Sequence, residues 1–505
     1  QALIDLGMLW SARDYARTGG YFQQALELVR TIDARDLTAQ TLNRVGNWHL
    51  NVDQPLEAVR YHQEALAIFE EVDDRAGIAA ASDLLGLASY LSGDLIGGAV
   101  HYRRAVKLFE AADDRTGLAS SLTVLTMRGV TYQTDTMVVD TATSLECARD
   151  GELALAISRE IGWRAGESFA LWMLGFCLAG GGYYDRALDA VMNSIAIAEE
   201  IEHRQWLASA HCAAGTIYSD LLAQAEAEQH LELALSHARE TASQHWIHTT
   251  AGFLASHLVA RGDLERAEAV LDAILDPDTP AQTLGQRLAW SARVELALAR
   301  ADPSAALRML DRMLAASPNL SATTPILRYC LLRARVLRAL NRLDDAEAEL
   351  RAAQTIADSL GARPWSWRIH LELGMQCHGR DRERATAEFA AARALVEGLA
   401  AEAPSAALGA QFLNRALALF PVPRRLTALQ TAKREYDGVT ARQREVAALI
   451  ARGHSNREIA EALSLSERTI ESHVTSILAT LNFAARSQIA AWAVERGLVS
   501  HPATE

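Results

Sequence analysis

From Val439 onward, polar and apolar positions alternate in a way that writes out helix starts one after another. Thr440 precedes Gln443 by three residues and Ser455 precedes Glu458 by three, the spacing at which the hydroxyl caps the N3 amide and the N3 side chain returns to the cap residue's own N–H. Ser466 is a third cap, with Glu467 placed to complement the positive end of the helix dipole. Gly453 stands where the preceding helix ends in a left-handed conformation. After Ser466, the residues Ile470, Val474, Ile477, Leu478 and Leu481 form an apolar stripe at helical spacing, while Arg468, Glu471, Ser472 and Thr475 occupy the opposite side. A further amphipathic stretch runs from Arg486 to Arg496.

Upstream the pattern repeats. Ala65-Leu66-Ala67-Ile68-Phe69 returns forty residues later as Ala105-Val106-Lys107-Leu108-Phe109, and Asp73-Asp74-Arg75 returns as Asp113-Asp114-Arg115. The pairs Gly46 and Gly86, Gly175 and Gly215, and Trp206 and Trp246 keep the same period. Each unit reads as two antiparallel helices with Ala and Gly where they approach closely, giving about ten hairpins with a break in period around Met127 to Ala148. One hairpin cannot bury its own apolar face, so the expectation is an all-α chain: a right-handed helical-repeat solenoid over residues 1–400, a helix and linker over 401–435, and a small four-helix domain over 436–500. Within 401–435, Leu408 to Phe420 reads as an amphipathic helix that Pro421 and Pro423 stop, and Arg424, Arg425, Lys433 and Arg434 read as a linker or a basic arm.

The turn between Leu463 and Ser466 has the length a helix-turn-helix requires. The segment resembles the LuxR-type helix-turn-helix family of bacterial transcription regulators through Thr440, Arg442, Arg444, Glu445, Val446, Gly453, Asn456, Glu458, Ile459, Ala460, Leu463, Ser466, Thr469, His473, Ile477, Leu481 and Arg486. The resemblance covers roughly the last sixty-five residues. It implies that 456–475 is the helix-turn-helix proper, that the helix after Ser466 is the recognition helix, and that the helix after Arg486 is a dimerisation surface. Glu471 and Thr480 stand where the family commonly has Lys. The upstream repeats resemble tetratricopeptide-type repeats, and the combination is similar to large nucleotide-dependent regulators with a phosphate-loop domain further upstream. The chain begins at Gln1 in mid-repeat, which suggests a fragment of such a protein.

Composition narrows the alternatives. No apolar run is long enough to span a bilayer and no export leader is written, so a cytoplasmic protein without membrane contact is expected. Cys147, Cys177, Cys212, Cys330 and Cys377 are scattered singly, which argues against a disulfide framework and a zinc site. No phosphate loop, zinc-hydrolase helix or nucleophile elbow is written, so no catalytic residue, metal or cofactor is assigned. Gly180-Gly181-Gly182 reads as a repeat turn. His203, His211, His245 and His248 read as packing or surface residues, and the repeat-spaced tryptophans as core, with one of Trp365 and Trp367 as a candidate exposed contact.

Charge divides unevenly: residues 424–505 hold 11 Lys and Arg against 9 Asp and Glu, and residues 1–423 hold 38 against 54. The acidic body is therefore not itself the DNA-binding surface, since phosphate neutralisation supplies most non-specific affinity. The reading is a transcription regulator that binds double-stranded DNA as a homodimer, with the repeats sensing a small-molecule or protein ligand. The DNA-binding set is Ser455, Asn456, Arg457, Ser466, Arg468, Thr469, Glu471, Ser472 and Thr475: Arg457, Arg468, Thr469 and the N-terminal amides after Ser455 and Ser466 are assigned to phosphates, and Glu471, Ser472 and Thr475 to base edges. The alternative is a protein-interaction scaffold whose terminal helices no longer bind DNA.

Overall fold

The computed structural model describes residues 1–10, 15–32, 34–129, 141–316, 326–421 and 435–499. The cations Arg424, Arg425, Lys433 and Arg434 of the expected linker lie outside the described residues. Two compact units result, Gln1–Phe420 and Pro421–Glu505. Among the described residues every regular element is helical, and none is long and apolar enough to cross a membrane.

The first unit is a helical-repeat array: ten antiparallel hairpins and a closing helix, among the described residues. Its regularity comes from a helix of seventeen or eighteen residues followed by a short turn whose central residue is left-handed. Such residues fall every twenty positions, at Asp53, Asp73, Gly93 and Asp113, and again at Gly162, Gly182, Glu202, Leu222, Ala242 and Gly262. Leu222 and Ala242 hold φ of 55° and 54°, which L residues adopt only when their surroundings fix it. The residue after the turn starts the next helix, and Asp74, Asp94, Asp114 and Asp263 each accept a hydrogen bond from a backbone N–H of the first turn. Equal helix lengths let neighbours stack without overhang.

Within hairpins, close approach is written by glycine. A Cβ at Gly46 would come within 2.6 Å of His62, at Gly86 within 2.7 Å of Tyr102, at Gly175 within 2.2 Å of Val191 and at Gly215 within 2.6 Å of Leu231. Each partner lies sixteen residues on, at the matching level of the return helix. At the open end of the same hairpins, Arg35 pairs with Glu71, Arg164 with Glu200 and Arg204 with Glu240, so the first residue of one helix is tied to the last turn of its partner. Exposed pairs of this kind each contribute about 0.2–1 kcal/mol, far less than the apolar layers they border. Helices Arg164–Gly180, Arg204–Asp220 and Gln244–Arg261 meet through Phe169, Trp172, Trp206 and Trp246, whose rings stack or cross at 4.7–6.0 Å.

The array also touches itself at long range. The turn after helix Arg75–Ser92 receives Arg287, whose side chain is buried and donates from Nη2 to the carbonyls of Ser92 (3.0 Å) and Gln282 (3.1 Å) and from Nε to that of Ala281 (3.1 Å). No carboxylate accepts from it among the described residues; burial lowers its pKa to about 10, which leaves it a cation at neutral pH. Further along, Arg363 donates to Gly181 O (2.8 Å), the Asp185 N–H donates to Glu402 O (2.8 Å), Arg368 pairs with Asp220 (2.9 Å), and Arg415 donates to Leu222 O. Every such contact joins the mid-hairpin turn of one repeat to elements four or five hairpins later.

Two readings from sequence need correction. The helix assigned to the joint, observed as Ala406–Leu417 with Ser405 as its cap, packs on the last hairpin through Phe412 and belongs to the repeat unit. Its apolar face is repeat-like, which proximity to Pro421 and Pro423 obscured. Neither Trp365 nor Trp367 is an exposed contact: Trp367 is 1% exposed beside Phe412, and Trp365 is half-buried under the Arg328 guanidinium. They point to opposite sides of one helix, but both sides are covered.

Gly93 and Gly262 separate the seam from ordinary turn chemistry. Both are left-handed, at φ +92° and +83°, yet an added Cβ meets Arg287 Nη1 at 1.8 Å in the first and open space in the second. Gly262→Ala should cost about 1–2 kcal/mol of backbone strain. Gly93→Ala should cost about 3 kcal/mol or more, because the buried guanidinium loses its carbonyls as well; thermal unfolding of the two variants side by side checks the difference.

Candidate nucleic-acid interface

The terminal unit has four helices: α1 (Ala441–Ala451), α2 (Asn456–Leu463), α3 (Glu467–Leu481) and α4 (Arg486–Glu495). Their starts follow the sequence pattern. The Thr440 hydroxyl accepts from the Gln443 N–H at 3.4 Å while Gln443 Oε1 accepts from the Thr440 N–H at 2.9 Å, and Ser455 with Glu458 repeats the exchange at 3.4 and 2.7 Å. Ser466 Oγ accepts from the Thr469 N–H at 3.1 Å. Gly453 is left-handed at φ +88°, and the turn between α2 and α3 is made by Ser464, itself left-handed at φ 54°, followed by Leu465. The Glu458 carboxyl sits below the ordinary carboxylate range because the Ser455 backbone N–H and hydroxyl both hold its anion.

The core is small and apolar: Val439, Val446, Ala447, Ile450, Ile459, Ile470, Ile477, Ile489 and Trp492 are buried together. Around it, arginine is spent on structure. Arg486 donates from Nη1 to Asn456 Oδ1 (2.5 Å) and from Nη2 to the His454 carbonyl (2.7 Å), tying the start of α4 to the start of α2. Arg442 donates to the Leu463 carbonyl (2.7 Å) at the end of α2. Arg444 lies 4.0 Å from the Tyr436 ring centroid, and Arg496 and the Trp492 indole N–H both donate to Asp437. Buried Gln443 serves twice, capping α1 and donating to Ser476 Oγ (2.8 Å) on α3.

On α3 the stripe expected to be buried is inside, with Ile470 and Ile477 fully covered and Val474, Leu478 and Leu481 half-buried against the core. Arg468, Glu471, Ser472 and Thr475 are all exposed on the other side, and Ser455, Arg457 and Ser466 are exposed as well. The outer side of the helix is thus polar and exposed, and a helix of this kind fits a major groove. Two assigned residues are less free than expected. Asn456 is half-buried with its carbonyl oxygen occupied by Arg486, and Thr469 is half-buried with its hydroxyl 2.7 Å from Ser466 Oγ. The Asn456 carbonyl oxygen thus ties α2 to α4 while its amide Nδ2 and backbone N–H are not used in that contact; its partner lies thirty residues on, a distance no local pattern reveals. Thr475 donates its hydroxyl to the Glu471 carbonyl and presents its methyl and lone pairs outward.

The exposed cations are few. Arg457 is 81% exposed with Glu461 at 3.5 Å, and neither Arg452 nor Arg468 has a side-chain partner among the described residues. Arg452, in the turn between α1 and α2, is exposed and was not among the residues singled out from the sequence. Residues 435–499 carry seven arginines against eight carboxylates, so the folded unit is not basic, and the excess of cations seen for residues 424–505 comes from the segment before it.

Residues 437–493 match the model of the family described as bacterial regulatory proteins, luxR family. The terminal unit carries a LuxR-type helix-turn-helix domain. Similar proteins include the uncharacterized transcriptional regulatory protein YhcZ of Bacillus subtilis, 46% identical over 66 residues, and the response regulator protein VraR of Staphylococcus aureus, 38% identical over 64 residues. Each alignment covers 13% of this chain and 31% of the relative, so the chain spans about a third of the length of the curated relatives it matches. Among solved structures, the apo form of RapI aligns over 58% of this chain and 97% of its own at 14% identity and a TM-score of 0.43. A signal transduction ATPase with a tetratricopeptide repeat sensor from Pyrococcus horikoshii aligns over 63% and 47% at 16% identity and a TM-score of 0.39.

The clamp at the start of α4 of the LuxR-type domain has a direct test. Arg486→Ala leaves Asn456 Oδ1 and the His454 carbonyl without their charged donor and should destabilise the domain by about 1.5–3 kcal/mol. Ser455→Ala, which removes one cap, should cost about 1 kcal/mol. Hydrogen exchange of the α2 amides in the full chain reads both.

Proposed function

We propose that the chain is a transcription regulator that places α3 in the major groove of double-stranded DNA and that its repeat domain senses a protein or small-molecule ligand. The observation that carries the first half is the exposed face of Arg468, Glu471, Ser472 and Thr475 backed by the buried stripe of Ile470 and Ile477. Arg457, Arg468 and Arg452 hold phosphates, joined by the amides at the capped starts of α2 and α3. Glu471, Ser472 and Thr475 meet base edges. One such domain buries about 600–1,000 Å² on DNA, so useful specificity calls for two copies on half-sites about one helical turn apart. Val494, exposed on α4, supports that helix as the contact between copies.

The even charge balance of residues 435–499 and the carboxylate of Glu471 on the leading face favour a second reading, a scaffold that no longer binds DNA. Selection of bound oligonucleotides from a random pool by the full chain decides between them: the regulator enriches a two-fold symmetric site, the scaffold enriches nothing. On the selected site, Arg457→Ala and Arg468→Ala should each weaken binding across all sequences and reduce the slope of log affinity against log salt by about 1. Glu471→Lys should instead change preference at one position per half-site, because a carboxylate accepts from cytosine N4 whereas Lys donates to guanine.

A further inference from the structure

The long-range contacts in the repeat unit form a seam in which cations from later hairpins meet turns of earlier ones. Arg287, Arg363, Arg368 and Arg415 supply permanent charge. The fifth cation is different. Asp53, at the left-handed turn between helices Arg35–Asn51 and Pro55–Glu71, lies with Oδ2 3.2 Å from Nδ1 of His248 on helix Gln244–Arg261, and both side chains are nearly buried. Thr283 Oγ1 and Gln286 Nε2, from the start of helix Leu284–Ala299, donate to the same oxygen at 3.3 Å. The carboxylate thus gathers three groups from the later hairpins, about 195–233 residues away in sequence.

We propose that the Asp53–His248 pair is a proton-dependent latch that holds the early hairpins of the array against the later ones. The inference concerns the repeat unit alone and stands whether or not the terminal domain binds DNA. Imidazole is the seam group whose charge changes near neutral pH, so this contact alone among the five can be switched there. The groups around it are consistent with that role. His245, one turn earlier, is pushed down to about 4 by burial and stays neutral at pH 6 and above. The Ile274 carbonyl lies 3.3 Å from His248 Nε2, accepting when both ring nitrogens carry protons. Arg239, Gln244, Asp272 and Asp276 face His248 across a cleft of about 350 Å³, with Asp272 already paired to Arg293. Burial opposes protonation of His248, but the Asp53 carboxylate 3.2 Å from Nδ1 and the Ile274 carbonyl at Nε2 outweigh it, so its pKa is raised. A raised pKa means the latch is fully closed below the ordinary histidine range and is lost as pH rises through the raised value.

Hydrogen exchange of the full chain at pH 6 and pH 8.5, corrected for intrinsic rates, tests this. Peptides covering 89–95 and 281–287 should exchange several-fold faster at the higher pH, while a peptide covering 207–217 should not respond. Asp53→Asn and His248→Gln should both exchange fast in the seam at either pH. Equal corrected rates for the unaltered protein at the two values would overturn the latch, as would a pH response retained in Asp53→Asn. Should either variant lose protection in 207–217 as well, the comparison in the unaltered protein decides by itself.

Discussion

The left-handed turn that recurs every twenty residues is the constraint on which the rest of the molecule depends. It fixes helix length, and equal length is what lets successive helices stack in register. Where it falls in mid-hairpin it also places a bare helix C-terminus at the same edge of successive hairpins, where the last carbonyls have no partner within the helix. An array of such ends is a row of acceptors at the negative ends of helix dipoles. The seam follows from this: Arg287 on Ser92, Arg363 on Gly181 and Arg415 on Leu222 are cations from later hairpins capping carbonyls of earlier ones. A solenoid whose distant hairpins touch has contacts that nearest-neighbour stacking does not supply, and its stability is no longer a sum over adjacent repeats.

In the LuxR-type domain the economy is reversed. Four helices and a core of about a dozen apolar side chains leave little surface to bury, and arginine is used as cement. Arg442, Arg444, Arg486 and Arg496 each hold a carbonyl, a ring or a carboxylate of the domain itself. A bidentate guanidinium can satisfy two acceptors at once, which suits the ends of short helices that have few other partners. The consequence bears on the proposed function: cations committed to the fold are not available to phosphate, and on that proposal Arg452, Arg457 and Arg468 are the ones left to meet it.

The local chemistry was legible in the sequence because its signals are local. Capping boxes at Thr440 and Ser455 involve residues three apart, the apolar stripe of α3 spans a dozen, and the forty-residue period needed only two copies of Asp73-Asp74-Arg75 to be seen. Gly46 and Gly86 announced close packing, and the structure adds that the partner is the residue sixteen positions on. What was not legible is contact over distance. Nothing near Asn456 says that Arg486 will occupy it, and nothing in Ser92-Gly93 names Arg287. His248 read as one more packing histidine since its partner Asp53 lies in another hairpin altogether. The amphipathic helix at 406–417 was placed in the joint because composition changes there, whereas membership in a core is decided by which face meets a neighbour, as Phe412 meets Trp367.

With α3 in a major groove as proposed, the carboxylate of Glu471 takes on a definite physical meaning. On a face with few cations, a negative charge aimed at a groove lined by phosphates costs affinity for every sequence equally through its long-range field. At short range the cost is unequal. Where the base presents an amino donor, as cytosine and adenine do, the carboxylate recovers a charge-assisted hydrogen bond; against the acceptor-only edge of guanine it meets two lone pairs and recovers nothing. Discrimination comes from a group that is repelled along most of the groove and tolerated only where an amino donor meets it. A domain with weak phosphate attraction and a repulsive reader gains specificity while losing affinity, and pairing two such domains on one site is the physical means of restoring the affinity without restoring the non-specific term.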